Sequence, residues 1–385
     1  MSIYTIINDA QKPLSIDDDI KLFKQIYTQH SLNEWLNTNL IFEVGNYIAY
    51  NRPDLVSIGI RLNVQVNLFL RTIKTYSSNY ESIFNKIGHD LGCFALTETK
   101  AGVLSGLIID TKFSIDNDDI IIEDGEKQYI SQGIYAQYGL IFTANKNNDK
   151  DVRICLVKMN ENGIEKTQMN VPFVKTLDLA LIKLNKVYIN KDNILDLTQN
   201  KTKMEVLNGI LYGRFMITTA VIYSILGLIH HIKNNIKNDD KFKQLGYDEY
   251  IDKLDLKINN SIEILKSRQN KLLETLDVFL INCYKVYFVE ECIEIFNDLH
   301  LKFGVRASSY NLKYETLILN KVAEGDTSVL RLAIINNHIK KGYYNILIND
   351  GFSFYEILKI LFSCDNKFIL KNFKKISDNI IKSNI

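Results

Sequence analysis

An acidic residue followed by a glycine near the end of the chain, Glu324-Gly325, is the pair most suited to chemistry. A carboxylate can take a proton from a substrate, and a glycine lets the backbone approach a ligand closely. The next three residues, Asp326-Thr327-Ser328, are types that cap a helix, and a run with helical periodicity follows at 329–340. Alone, such a Glu-Gly pair more often just separates two elements of secondary structure.

Three earlier segments carry groups that could act together with this carboxylate. Residues 92–102 read GCFALTETKAG, residues 127–133 read KQYISQG, and residues 187–195 read VYINKDNIL. The first two supply hydroxyl and aromatic side chains on short runs typical of strands. Each pattern, taken singly, is equally typical of an ordinary exposed strand.

In combination, the four segments resemble the acyl-CoA dehydrogenase and acyl-CoA oxidase superfamily, in the order and at about the spacing of its motifs. Members of that family carry an aromatic-x-x-Thr-Glu run against a flavin and a Lys-x-Trp-Ile-Thr/Ser-Asn-Gly strand beside its ring. A late Glu-Gly pair contains their catalytic base. The resemblance covers nearly the whole chain and implies FAD as cofactor in the α,β-dehydrogenation, or oxidation, of an acyl thioester.

The resemblance assigns roles residue by residue. Glu324 matches the base that removes the α proton, and Thr97 matches the residue at the pyrimidine edge of the flavin. Ser131 matches the residue near the flavin N5 and O4, and Tyr129 replaces the tryptophan that covers the ring. The resemblance also implies cofactor contacts from Phe94, Leu96, Gly102, Asp326 and Thr327, and substrate contacts from Arg214 and Gly325.

The segments that hold the cofactor diphosphate in the family are altered. Val103 stands where the family has a serine, residues 239–243 read DDKFK in place of Arg-x-x-Phe-Gly, and residues 303–306 read FGVR in place of Gly-Gly-x-Gly. An acidic pair repels a diphosphate unless a cation compensates it. Arg306 is therefore the residue that we expect to hold the phosphates. A site shared with a different partner chain, or loss of FAD, are the alternatives.

The amino-acid composition limits the classes of protein to which this chain can belong. The chain has 385 residues, of which 46% are hydrophobic and 24% charged, with a formal net charge of +1. This is typical of a soluble protein of two or three domains, and it lacks the basic surplus of a nucleic-acid-binding protein. The five cysteines are scattered and favour reduced, buried thiols. The apolar run at 215–229 is too short to span a membrane, so we predict a buried central helix and a cytoplasmic location.

Periodicity divides the chain into three parts and predicts an α+β fold. Residues 1–91 show the helical period and form an N-terminal helical domain; residues 92–197 show short alternating runs and form a central antiparallel, β-barrel-like domain. Residues 198–385 form a C-terminal four-helix bundle that carries the base. Within this plan we expect a tight turn at Asp124-Gly125 and a hairpin at Asn162-Gly163.

The bundle helices are predicted at 206–233, 247–266, 269–303 and 326–341. We therefore expect a member of dehydrogenase size, without the extra C-terminal helical domain of the large acyl-CoA oxidases.

The partners follow from the same resemblance. The thioester is either acyl-CoA or an acyl group on an acyl carrier protein, and the electron acceptor is a flavoprotein or O2. The expected assembly is a homodimer or homotetramer, or a hetero-oligomer. Two other functions stay open at this point: a non-catalytic or half-site subunit of a heteromeric complex with an incomplete FAD site, and oxygen-using chemistry on a nitro or amino substrate.

Overall fold

Helices precede and follow a run of strands, so the predicted mixture of α and β structure is confirmed. The computed structural model describes residues 2–98, 109–116, 119–170, 176–195, 208–323, 326–337 and 344–361.

The N-terminal helices are α1 Ile3–Asp9, α2 Ile16–Tyr27, α3 Leu32–Trp35, α4 Thr38–Asn51, α5 Val56–Leu62, α6 Arg71–Tyr76 and α7 Tyr80–Ile87. The acidic run at 17–19 lies in the first turn of α2, where it suits the positive end of the helix dipole. Ser15 caps that helix by accepting a hydrogen bond from the Asp18 amide at 3.1 Å. A π-helical segment, Asn63–Leu70, joins α5 to α6, and all of its residues are buried. Such segments are rare, and they occur frequently at functional sites.

The strands are β1 Gly92–Ala95, β2 Lys112–Asp116, β3 Asp119–Ser131, β4 Tyr138–Asn145, β5 Asn148–Lys158, β6 Ile164–Met169, β7 Leu179–Ile189 and β8 Ile194–Leu195. They form one sheet in the order β6-β7-β3-β2-β4-β5-β8, and β1 pairs with β4 outside this path. The pairs β1–β4 and β2–β4 are parallel and the other pairs between named strands are antiparallel.

Two local predictions in the β region, a tight turn and a hairpin, are wrong. Asp124-Gly125 makes no turn, because β3 continues through both residues and stays paired with β7. Gly125 is needed there for space, since a Cβ atom would lie 2.4 Å from a methyl carbon of Thr111. Gly163 does adopt the left-handed conformation of a turn, with φ of +87°. The strand that follows it, β6, pairs with β7 and not with β5, so no hairpin forms at this position.

The C-terminal helices are α8 Asn208–Ile236, α9 Asp240–Gln244, α10 Tyr247–Thr275, α11 Val278–Phe303, α12 Val305–Ser308, α13 Tyr314–Val322, α14 Thr327–Asn337, α15 Tyr344–Asn349 and α16 Phe354–Leu361. The break predicted near residue 267 lies instead at Leu276-Asp277. Leu276 is left-handed, with φ of +48°, and Asp277 starts α11 by accepting a hydrogen bond from the Leu280 amide at 3.0 Å.

The long helix α8 packs against α4, α10 and α11. Over Gly209–Ile236 it is, within the described residues, the one helix long and apolar enough to cross a membrane, and 78% of its most apolar stretch is buried inside the protein. Such burial is expected of the central helix of a bundle.

The sheet separates two hydrophobic cores. The larger core combines the helices with one face of the sheet, and the smaller core consists of strand residues. The strand period of two explains the division in β1, where Phe94 belongs to the larger core and its neighbours Cys93 and Ala95 to the smaller one.

Candidate functional site

A cavity of about 590 Å³ lies between the helices and the sheet. Its walls come from α4, α5, the π-helical segment, α8 and α13 on one side, and from the ends of β1, β3 and β7 on the other. Apolar side chains form most of the lining, with a small number of polar groups among them. This composition is usual for ligand-binding cavities.

Most of the site residues that the sequence predicted meet in this cavity. Segments more than two hundred residues apart contribute to it, since both Thr97 and Asp326 are part of the lining. The predicted residues found there are Phe94, Leu96, Thr97, Tyr129, Ser131, Arg214 and Asp326. Three predicted site residues lie outside the described part of the chain: Gly102, Glu324 and Gly325.

Two predicted site residues do not line this cavity. Thr327 is fully buried, and its hydroxyl donates to Glu290 Oε1 at 2.8 Å. The Arg306 guanidinium donates to Asp239 at 3.0 Å and lies 4.5 Å from the centre of the Phe242 ring. Arg306 thus compensates an acidic residue of the altered diphosphate segment, as the sequence required, but it does so away from the cavity.

A β-bulge in β3 shapes the cavity wall at Tyr129. Lys127 lies opposite Ile182 of β7, whereas Ile130 lies opposite Ala180, so three steps along β3 match two along β7. Tyr129 adopts φ of +57° within the bulge, a conformation uncommon for a bulky residue. Its side chain is 54% exposed although it lines the cavity. The bulge therefore presents an aromatic ring to whatever occupies that end.

Thr97 and Ser131 bring two hydroxyl groups to the same cavity. Both residues are half-buried. Their side-chain hydroxyls form no hydrogen bond with the residues that the structure describes. Two such hydroxyls in a mainly apolar cavity can bond the polar edge of a ligand as donors or acceptors.

An ion pair that the sequence analysis did not predict joins two of the motifs. Lys127 and Glu98 are almost wholly buried, and the Lys127 ammonium donates to the Glu98 carboxylate and to the carbonyl of Phe142. Glu98 also accepts from the amide and hydroxyl of Thr111, at 3.1 and 2.7 Å, and from the Asp110 amide at 2.5 Å. The sequence contains a sign of this ion pair, because the motif at 92–102 includes the acidic Glu98 and the motif at 127–133 begins with the basic Lys127.

Burial lowers the pKa of Lys127 to about 8, while the adjacent Glu98 opposes that shift. The ammonium therefore keeps its charge at neutral pH. Burial pushes the pKa of Glu98 upward, but Lys127, Thr111 and Asp110 outweigh it and hold that pKa below its usual 4.5. The pair fixes Thr97, the residue before Glu98, against the strand that carries Tyr129 and Ser131.

A second buried ionic cluster supports the wall beside β7. Arg61 donates to Asp19 at 2.5 Å and to Asp178 at 2.7 Å, and all three side chains are fully buried. Leu177 and Leu179, on either side of Asp178, line the cavity. The cluster therefore ties α2 and α5 to the segment that leads into β7.

Of two buried cations on α8 and α11, one lines the cavity and the other holds the residue before Glu324. Arg214 is 5% exposed, lines the cavity and donates to Asn282 Oδ1 at 2.9 Å. Lys285, one turn after Asn282 on α11, is fully buried and donates to the carbonyl of Ala323. Lys285 is a residue that the sequence analysis missed, since nothing in a helical run distinguishes it from a surface lysine.

Asp326, the first described residue after Glu324-Gly325, is also held by a hydrogen bond. Its carboxylate accepts from the Ser328 amide at 2.8 Å, so it caps α14 as the sequence predicted.

Nucleophilic thiol chemistry is disfavoured at the described cysteines. Burial raises the pKa of Cys93, the thiol nearest the motif strand, to about 12. Among the described residues, no group of three histidine, cysteine, aspartate or glutamate side chains could hold a metal ion.

Comparison with solved structures identifies the architecture. Butyryl-CoA dehydrogenase from Megasphaera elsdenii aligns with a TM-score of 0.69 at 14% identity, over 87% of this chain and 96% of that one. PigA, solved with FAD and proline, gives 0.74 at 14% identity, over 89% and 96%. The prolyl acyl carrier protein oxidase AnaB gives 0.70 at 15% identity, over 87% and 96%.

Sequence comparisons do not identify a family, since no protein-family model matches the chain and a search of curated proteins finds no match. Identities of 14–15% establish architecture alone. The resemblance seen in the motifs is confirmed at that level: this chain has the fold of the acyl-CoA dehydrogenases.

Proposed function

We propose that this protein is a flavin-dependent oxidoreductase that dehydrogenates, or oxidises, an acyl thioester between Cα and Cβ, with Glu324 as the base. The observation that carries this proposal is the meeting of Thr97 and Ser131 with Asp326 around one apolar cavity. Segments remote in sequence thus bring hydroxyl groups with no partner among the described residues to one cavity, where a single ligand can contact both.

The residues at the sheet end fit the ring of a flavin. The hydroxyls of Thr97 and Ser131, which have no partner among the described residues, can bond a polar ring edge, and Tyr129 offers a flat aromatic surface. Phe94 and Leu96 add apolar contacts, and bound FAD would supply the acceptor for the β hydride. The neighbour that was solved with FAD supports this assignment.

Glu324 is proposed to take the α proton. Ala323 and Asp326, the described residues on either side of Glu324-Gly325, both line the cavity. The Lys285 ammonium holds the carbonyl of Ala323, which fixes the chain just before the base. Because the α proton is only weakly acidic, the thioester oxygen also needs fixed donors. The Glu324 backbone N–H is the expected donor, and Arg214 is the proposed cationic contact for the substrate.

The carrier of the acyl group is either coenzyme A or an acyl carrier protein. Both kinds of substrate occur in the names of structural neighbours, a butyryl-CoA dehydrogenase and a prolyl acyl carrier protein oxidase. A flavoprotein or O2 is the proposed electron acceptor, in a cytoplasmic homodimer, homotetramer or hetero-oligomer. Divisions near residues 91 and 197 remain the proposed domain boundaries.

The test compares Glu324→Gln with a matched control, Glu315→Gln, which changes an exposed glutamate on α13. Both proteins are purified and mixed without oxygen with a panel of acyl-CoA and acyl-pantetheine thioesters, and loss of flavin absorbance is followed. We expect bleaching in the wild type and in the control, and flavin binding without bleaching in Glu324→Gln. Bleaching by Glu324→Gln at the wild-type rate would eliminate Glu324 as the base.

The second candidate is a half-site subunit of a heteromeric complex. The observation that favours it is the ion pair of Arg306 with Asp239, because the cation expected to hold the phosphates already compensates a carboxylate of this chain. A protein that purifies without flavin and takes up none from added FAD would support this candidate against the first.

A further inference from the structure

The cavity lining contains a set of deeply buried polar side chains, each more than nine-tenths buried. Within the described residues these are Asn63, Arg214, Ser224, Thr316 and Asn320. Buried polar groups are normally hydrogen-bonded, so a member of this set without a partner needs an explanation.

Three of the five have partners inside the protein. Arg214 donates to Asn282, Ser224 donates to the carbonyl of Ala220 at 2.9 Å, and Asn63 Oδ1 accepts from Asn67 at 2.9 Å. Their polarity is therefore accounted for by contacts within the fold.

The other two, Thr316 and Asn320, differ. Each is 7% exposed, and neither side chain is hydrogen-bonded to any part of the chain that the structure describes. They lie one turn apart on α13, so that both belong to the same face of the helix. Together they give the cavity a patch with two hydrogen-bonding groups, one a carboxamide and one a hydroxyl.

Solvent can satisfy this patch until a ligand displaces it. A plain alkyl chain would then leave both groups buried without partners, which costs each of them its hydrogen bonds to water. A ligand that carries its own hydrogen-bonding group avoids this cost. Sites that hydrogen-bond a polar substituent discriminate strongly against analogues that lack it, for the same reason.

The position of the patch indicates which part of the ligand it contacts. The face of α13 that carries Thr316 and Asn320 leads to Ala323, which also lines the cavity and directly precedes Glu324. At a rise of about 1.5 Å per residue, Asn320 lies roughly 4.5 Å and Thr316 roughly 10 Å before Ala323 along the helix axis. These distances are within the reach of a short acyl group.

We infer that Thr316 and Asn320 select acyl groups that carry a hydrogen-bonding substituent, such as a hydroxyl, amino or amide group, over unsubstituted alkyl groups. This inference rests on the proposed function, because it takes the acyl part of a thioester as the ligand. The two residues determine specificity and take no part in the proton transfer.

The test measures binding to the full-length protein by calorimetry, with benzoyl-pantetheine and its 2-, 3- and 4-hydroxybenzoyl analogues. These aromatic acyl groups have no saturated Cα–Cβ bond, so binding is measured without turnover. We expect at least one hydroxybenzoyl thioester to bind about three- to tenfold more tightly than benzoyl, the effect of one net hydrogen bond. In Asn320→Leu or Thr316→Val that preference should fall towards one.

Leu319→Ala is the matched control, because it alters an apolar lining residue on the same helix. It should weaken all four thioesters alike and leave their ratios unchanged. Equal or tighter binding of benzoyl by the wild type, or an unchanged preference in both polar-to-apolar variants, would overturn the inference while leaving the proposed function intact. Absence of binding by every thioester, including the acyl-CoA panel, would overturn both.

Discussion

The Lys127 ammonium and the Glu98 carboxylate form an ion pair inside the protein, 29 residues apart in sequence. Thr97 precedes Glu98, and the bulge that carries Tyr129 follows Lys127. The pair therefore connects the two strand motifs at the sheet end of the cavity.

Removal of one member of this pair should destabilise the protein strongly. Lys127→Met leaves Glu98 charged, buried and unpaired, and the expected loss is about 3–5 kcal/mol in the free energy of unfolding. The double variant Lys127→Met/Glu98→Gln should lose less than the sum of the single changes, because only the double variant leaves no uncompensated charge.

Urea denaturation measures these changes. Lys146→Met, which breaks the more exposed pair with Glu123, is the control and should cost at most about 1 kcal/mol. Similar losses in Lys127→Met and Lys146→Met would contradict the structural role of the buried pair.

The same carboxylate predicts a pH dependence. The pKa of Glu98 is lower in the folded protein than its usual 4.5, so below that pH the unfolded chain binds the proton more readily. The stability contributed by Glu98 is therefore present above pH 4.5 and is lost as the pH falls further. In denaturation curves from pH 6 to pH 3.5, the double variant Lys127→Met/Glu98→Gln, which removes both charges, should lose less stability on acidification than the wild type. Parallel curves would show that Glu98 is not a source of the acid sensitivity.

Tyr129 should be a position at which stability and ligand binding change in opposite directions. Tyr129→Gly places glycine where φ is +57°, and should raise or maintain the free energy of unfolding, by up to about 1 kcal/mol. The variant should nevertheless bind flavin more weakly, because it lacks the aromatic face, whereas Tyr129→Phe should bind it normally.

Lys186→Gly is the matched control for this comparison, since Lys186 is exposed, has φ of +52° and does not line the cavity. Thermal unfolding and flavin titration of the variants give the two quantities. Equal flavin affinity in Tyr129→Gly and Lys186→Gly would remove Tyr129 from the binding site.

The hydroxyls of Thr97 and Ser131 should affect the flavin spectrum. The double variant Thr97→Val/Ser131→Ala removes both groups with little change in volume, and we expect weaker flavin binding with a shifted absorbance maximum. Thr167→Val, at an exposed position on β6, should leave the spectrum unchanged. If the double variant also has the wild-type spectrum and affinity, the ring must bind elsewhere.

The ionic cluster of Arg61, Asp19 and Asp178 should stabilise the fold at the cavity wall. Arg61→Met leaves Asp19 and Asp178 buried without their cation, so a loss of about 3–5 kcal/mol is expected. Lys266→Met breaks an exposed pair with Glu263 and serves as the control, with an expected change of less than about 1 kcal/mol. Urea unfolding distinguishes the two, and equal effects would exclude a supporting role for Arg61.

The sequence by itself determined the elements that depend on local chemistry. The change from helical to alternating periodicity near Gly92 and the helix cap at Asp326 are both found in the structure. Each of these follows from neighbours a few residues away or from a short pattern.

Only the tertiary structure decided the rest. Asp124-Gly125 has the local chemistry of a turn, but pairing of β3 with β7 and the close approach of Thr111 keep it extended. Arg61 meets Asp178 across 117 residues of chain. Such pairings depend on which surfaces are removed from water together, and the free energy of that burial is a property of the packed chain and not of any short segment of it.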